Sequence, residues 1–201
     1  MTTHPYYTRY GRPDGHGDLP GLVAKCRPAD EEVSQVFDFT ESILIHAPHE
    51  KVWNVVRDID QWWLRSNPDH EALEHLDERP ATQVGAKLRI REKIGGIPGE
   101  AVGVITAAEP GTAVTWEAEA NYQWLGVSVR VNEGVTWRLE PSSETSTRLS
   151  ARVWATSPSG IFGRFASLVF TRLLNGEEKD RAHARTELQY LKCTIEGHVV
   201  S

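Results

Sequence analysis

The chain has only two cysteines, Cys26 and Cys193, near opposite ends and without metal-type or redox-type spacing. Two free thiols is the simplest account, and one bridge from the N-terminal region to the last helix is the alternative. Basic runs are missing too. With 22 basic residues against 28 acidic, a formal charge of −6 and no window of five or more basic residues, the chain offers phosphates no electrostatic footprint. Nucleic acid is therefore not expected as a partner. No run approaches the roughly 20 apolar residues of a membrane span, so no integral membrane segment is expected. The first 20 residues carry Gly, Pro, His and Asp where a signal peptide would be apolar, so a cytoplasmic location is expected. There is no phosphate-cradling glycine loop and no nucleophile elbow, and Gly11 to Gly17 lacks the preceding strand of a dinucleotide fingerprint. No cofactor is expected.

What remains is an ordinary globular composition, 39% apolar and 25% charged over 201 residues, enough for one sizeable core. Its most informative stretch is Ser42 to Trp63. Ile43, Leu44 and Ile45 favour a half-buried strand, and Pro48 suits the first turn of a helix. Val52, Val55, Val56 and Ile59 then recur at helical spacing, with Lys51, Asn54, Arg57 and Asp58 largely on the wet side.

The succession Ile43, Ile45, Ala47, Pro48, Val52 and Trp53, followed by Asp58 and Trp62, resembles the opening of the START-like superfamily, also called the polyketide cyclase/dehydrase and lipid-transport (SRPBCC) superfamily. The resemblance extends more weakly over about residues 36 to 197 through the order of elements. It implies an α+β helix-grip fold: a curved antiparallel sheet wrapped around a long C-terminal helix, with one or two short helices after the first strand. It does not select a function, because the superfamily holds carriers, cyclases and partner-binding proteins.

The rest of the chain fits that order. Residues 1–35, with Gly11, Pro13, Gly15, Gly17, Pro20, Gly21 and Pro28, read as an irregular N-terminal arm, and 36–197 as the ligand-binding domain. Lys87 to Ile94, Glu100 to Ala107, Ala113 to Ala120, Val127 to Glu140 and Arg148 to Thr156 alternate as strands, with turns expected at Gly95-Gly96, Pro98-Gly99 and Pro110-Gly111. From about Gly160 the period becomes helical through Phe162, Phe165, Val169 and Leu173, then Ala184, Leu188, Leu191 and Ile195, with a kink expected at Asn175-Gly176.

Such a sheet closed by one helix implies interior volume, and tight packing is the alternative. The residues expected to line that space are Trp53, Trp62, Leu88, Ile90, Trp116, Val131, Trp137, Phe165, Val169 and Leu173. Trp116 and Trp137 share strand parity with apolar neighbours and should point inward, and Trp154 should cover the outside. Of Trp62 and Trp63, adjacent on a helix, only one should face the core. Two inward stripes are interrupted by acids, Glu92 and Glu133, and a buried carboxyl has its pKa raised toward the range of a general acid or base. A bulge at Gly134 or a turn at Gly95 would instead put them in water. Tyr122 or Arg172 could polarise a ligand carbonyl, and Asp180 and His183 should share the sheet-facing side of the last helix with Arg172. His70 and His75 do not form a metal pair: the zinc-protease pattern needs a spacing of four on a helix, whereas five turns the second about 140° away, and the segment suits a strand. No metal site is expected.

The chain therefore reads as a protein that holds a hydrophobic small molecule, polyketide-like, aromatic or lipid. If it is an enzyme, the resemblance implies a cyclase, dehydratase or related lyase or isomerase, with proton transfer by Glu92 or Glu133. The alternatives are a non-catalytic lipid or quinone carrier, and a module with a filled core that binds a protein partner.

Overall fold

A computed structural model of the chain describes residues 34–124, 126–157 and 176–197. The N-terminal arm up to residue 33, Cys26, Phe165, Val169, Arg172 and Leu173 lie outside the described residues. In chain order the elements are β1 (Ser34–Ile45), α1 (His49–Val56), α2 (Ile59–Ser66), β2 (His70–His75), β3 (Lys87–Ile94), β4 (Ile97–Glu109), β5 (Ala113–Trp124), β6 (Val127–Ser143), β7 (Ser146–Ser157) and α3 (Gly176–Glu196). The seven strands form one antiparallel sheet in the order β1-β7-β6-β5-β4-β3-β2. Register irregularities between Gln35 and Phe37, His70 and Ala72, and Ile105 and Ala107 bend it. This is the helix-grip architecture, with α3 against the concave face.

The local chemistry follows the sequence closely. Pro48 is the N-cap of α1, one position earlier than expected, and its carbonyl accepts from the Val52 N–H at 3.2 Å. Val52, Val56 and Ile59 are fully buried. Gly95 and Gly96, both at positive φ, close the two-residue hairpin between Ile94 and Ile97, the conformation such a turn demands. They suffice for the reversal, so Pro98 and Gly99 lie inside β4 and not in a second turn.

The helix α3 buries Ala184, Leu188, Leu191 and Ile195, the stripe its periodicity announces, together with two acids, Asp180 and Glu187. Ionic contacts on β1 hold it in register. Arg181 meets Glu41 at 2.8 Å and lies 4.5 Å over the Phe39 ring, while Arg185 reaches the same carboxylate at 3.1 Å. Near its end Lys192 donates to the Leu44 carbonyl at 2.6 Å, and Glu196 accepts from the His46 N–H at 2.7 Å.

Trp62 and Trp63 are both buried, contrary to the expectation for adjacent helical positions. The helix α2 is only eight residues long and is covered on two sides. Trp62 turns its indole N–H to the Val56 carbonyl (3.1 Å), and Trp63 turns its own to Glu187 of α3 (3.0 Å). Both rings meet Trp137 edge-on at 5.3 Å, and Trp63 meets Trp116 at 5.0 Å, the arrangement that ring quadrupoles favour. Trp62 therefore belongs to a packed aromatic core and does not line open space.

Candidate functional site

Strand register builds the site. Across the concave face run three successive rows: Leu88, Gly103, Ala118, Glu133 and Ala155; Ile90, Ala101, Ala120 and Val131; and Glu92, Gly99, Tyr122 and Val129. The central strands thus carry only Gly or Ala at five of their inward positions, and the functional groups stand at the margins of that low floor. Val129, Val131 and Glu133 are half-exposed on it, whereas Val135, Trp137 and Leu139, further along the same face of β6, are buried. Among the described residues Leu88, Ile90, Ala101, Ala118 and Ala120 are buried, and exposure rises only at Val129, Val131 and Glu133, toward the β5–β6 hairpin.

Tyr122 belongs to this floor and not to a turn, because β5 continues to Trp124. Its ring lies over Gly99, where a Cβ would fall 2.4 Å from two ring carbons, so any side chain there must displace the ring. Its hydroxyl donates to Glu133 Oε2 at 2.9 Å. No register break occurs at Gly134, so Glu133 stays inside. Desolvation, followed by repulsion from Glu92, pushes the Glu133 carboxyl up to about 8, and the Tyr122 bond offsets only part of this. Desolvation and then Glu133 and Glu92 also hold Tyr122 above the usual phenol range, and the same three influences raise Asp180. The indole N–H groups of Trp116 and Trp137 are buried without an acceptor among the described residues.

Beside this floor, three elements bring a second group of side chains together. His70 Nε2 of β2 lies 2.8 Å from His183 Nε2 of α3, 3.4 Å from Glu92 Oε2 of β3 and 3.3 Å from Glu187 Oε1 of α3. His183 Nε2 is 3.6 Å from each of the two carboxylates. His70 Nδ1 is 2.7 Å from the Trp63 carbonyl, which can only accept, so Nδ1 carries a proton and Nε2 faces the cluster. Burial works against a charged His70, but hydrogen bonds to Glu187 and Glu92 prevail and lift it to about 10. Burial would raise Glu187, yet hydrogen bonds from His183 and His70 bring it down to about 2.

The structure places the sequence candidates unequally. Glu92, Glu133 and Tyr122 converge on the concave face, with Val131 beside them and Leu88 and Ile90 buried in the same rows. Trp116 and Trp137 point inward but pack mainly on other tryptophans, and Trp53 is half-buried against the core. Trp154 lies outside, over Gly134. Together with Val102, Val104, Glu117, Glu119 and Asn132 it borders an open outer groove of about 460 Å³.

Sequence reasoning missed His70 and Glu187. Strict alternation would put His70 and Leu73 on opposite faces, but the irregularity between His70 and Ala72 turns both inward, while His75 stays exposed beside Asp60 at 3.2 Å. A usable signal was His183 and Glu187, four apart on one helical face already marked by Ala184 and Leu188.

Known structures share this architecture. The aromatase/cyclase ZhuI from Streptomyces sp. R1128 aligns at a TM-score of 0.60 with 17% identity, covering 81% of this chain and 99% of that one. A truncated norcoclaurine synthase from Thalictrum flavum aligns at 0.61 with 13% identity, covering 84% and 99%. A conserved protein from Geobacillus kaustophilus gives 0.58 with 17% identity, covering 80% and 96%. At these identities the likeness is one of fold. No curated protein matches the sequence significantly. Among the described residues no helix is long and apolar enough to cross a membrane. The family described as polyketide cyclase / dehydrase and lipid transport matches residues 36–196, and the chain belongs to that family.

Proposed function

We propose that the chain binds an apolar small molecule, aromatic or polyketide-like, on the Gly/Ala floor between the sheet and α3, and that Glu133 and Tyr122 transfer a proton to or from its polar group. The observation that carries this reading is the 2.9 Å Tyr122–Glu133 pair standing beside the Gly and Ala positions of β4 and β5. Because Tyr122 donates to Oε2, the proton of neutral Glu133 resides on the other oxygen, where a ligand oxygen can receive it. A group with a pKa near 8 is a usable acid at neutral pH and becomes a base once it has given its proton. The unpartnered indole N–H groups of Trp116 and Trp137 are further donors in want of an acceptor. Norcoclaurine synthase from Thalictrum flavum, a structural neighbour, has been solved with dopamine and hydroxybenzaldehyde, two aromatic molecules. The family description supports the same class of ligand and extends it to lipids.

The test is equilibrium titration of tryptophan emission with aromatic, polyketide-like and lipid ligands, followed by mass analysis of the mixtures. Saturable quenching is expected in the wild type and in Glu133→Gln. Conversion should fall at least about 100-fold in Glu133→Gln, the usual contribution of a positioned acid or base. Binding without conversion of any ligand would leave a carrier. No saturable binding at all would leave a module that meets a protein partner.

A further inference from the structure

We infer that His70, His183 and Glu92 form a binding site for one divalent first-row transition ion, zinc being the type that best suits two imidazoles and a carboxylate. The inference does not depend on the small-molecule reading, because it stands on different side chains. The three facing atoms, His70 Nε2, His183 Nε2 and Glu92 Oε2, all lie within 4.8 Å of one another and make a triangle with edges of 2.8, 3.4 and 3.6 Å. The point equidistant from its corners is about 1.9 Å from each, against zinc bonds of roughly 2.0–2.2 Å to such ligands. A small displacement out of the plane brings all three to bonding distance.

The surroundings of His70 are those of a metal ligand. His70 donates its Nδ1 proton to the Trp63 carbonyl, the outer contact that leaves Nε2 as the nitrogen an ion would meet on displacing its proton. Glu187 Oε1 is held by the Trp63 indole N–H and borders the remaining position, 3.3 and 3.6 Å from the two imidazole nitrogens. The His70 side chain is wholly buried, whereas those of His183, Glu92 and Glu187 keep about a tenth of their surface open, which gives an ion a way in. The ligands come from β2, β3 and α3, so an ion would tie the last helix to the edge of the sheet.

Untagged full-length protein, stripped with a chelator, should be titrated with Co²⁺, whose visible bands report ligand number, and the bound ion then displaced with Zn²⁺. The expected result is one ion per chain, intense tetrahedral-type bands and a rise in unfolding temperature with either metal. His183→Gln and Glu92→Gln should weaken binding about 100-fold or more, and His75→Gln, at the exposed pair with Asp60, should leave it unchanged. Circular dichroism of each stripped variant establishes that it is folded. Absence of saturation at stoichiometric Co²⁺, or saturation that both His183→Gln and Glu92→Gln retain, would overturn the inference whatever happens to small-molecule binding.

Discussion

Replacing Glu133 by glutamine should make the protein more stable, by an amount that grows from about pH 4.5 and reaches its full size above about pH 8. The native carboxyl titrates at about 8, above the ordinary 4.5, so between these values the folded protein holds a proton that the unfolded chain has released. Stability contributed by this group is therefore complete below about pH 4.5, falls as pH rises and levels off above 8. At about 1.4 kcal/mol per pKa unit the full displacement corresponds to roughly 5 kcal/mol, which is an upper bound. Glu133 is half-exposed on the floor, and screening reduces the figure to about 2 kcal/mol. Glutamine keeps an oxygen for the Tyr122 hydroxyl and cannot ionise. Its removal of a negative charge also eases Asp180, whose carboxyl is raised partly by Glu133, and this acts in the same direction. With a urea slope of about 2 kcal/mol per molar, the midpoint of Glu133→Gln should exceed that of the wild type by about 1 M at pH 9 and by almost nothing at pH 5. Urea titrations of both proteins across that range are the assay. Midpoint differences independent of pH would refute a Glu133 carboxyl held neutral in the fold at pH 7.

Two substitutions probe the frame around that acid. Gly99→Ala places a methyl 2.4 Å from the Tyr122 ring, so the ring must shift, at a cost of about 1–3 kcal/mol; chemical denaturation and near-ultraviolet circular dichroism should both register it, and an unaltered tyrosine signal would contradict the packing. Trp137→Ala removes the fully buried ring on which Trp62 and Trp63 both stand and should cost about 3–5 kcal/mol by denaturant unfolding, whereas a loss below 1 kcal/mol would mean that the aromatic core is loose.

The fold was legible because its signals are local and repeated. The strand, proline and amphipathic helix around Pro48, the parity of β3 and β6, and the Ala184-to-Ile195 stripe each fix one face of one element. Glu92 and Glu133 were found by the same parity, as polar residues in apolar stripes. What the sequence hid depends on irregularity or on long-range approach. The disturbance between His70 and Ala72 reverses the side on which His70 lies, and no spacing rule connects His70 to His183, which lies 113 residues later on another element. Tyr122 lies beyond Ala120, where the strand was expected to end, whereas β5 continues to Trp124. Trp62 and Trp63 show that a short helix covered on two sides escapes the one-face rule.

The central claim is that the Gly/Ala floor bounds space for a guest, and the most direct measurement fills that space. Ala118 sits mid-floor between Gly103 and Glu133. In Ala118→Leu the added carbons should occupy the guest's volume, changing unfolding free energy by less than about 1 kcal/mol while saturable quenching by apolar ligands disappears. A loss of stability of about 1–3 kcal/mol or more, the signature of forcing a methylene chain into a filled core, together with ligand binding left intact, would contradict the account.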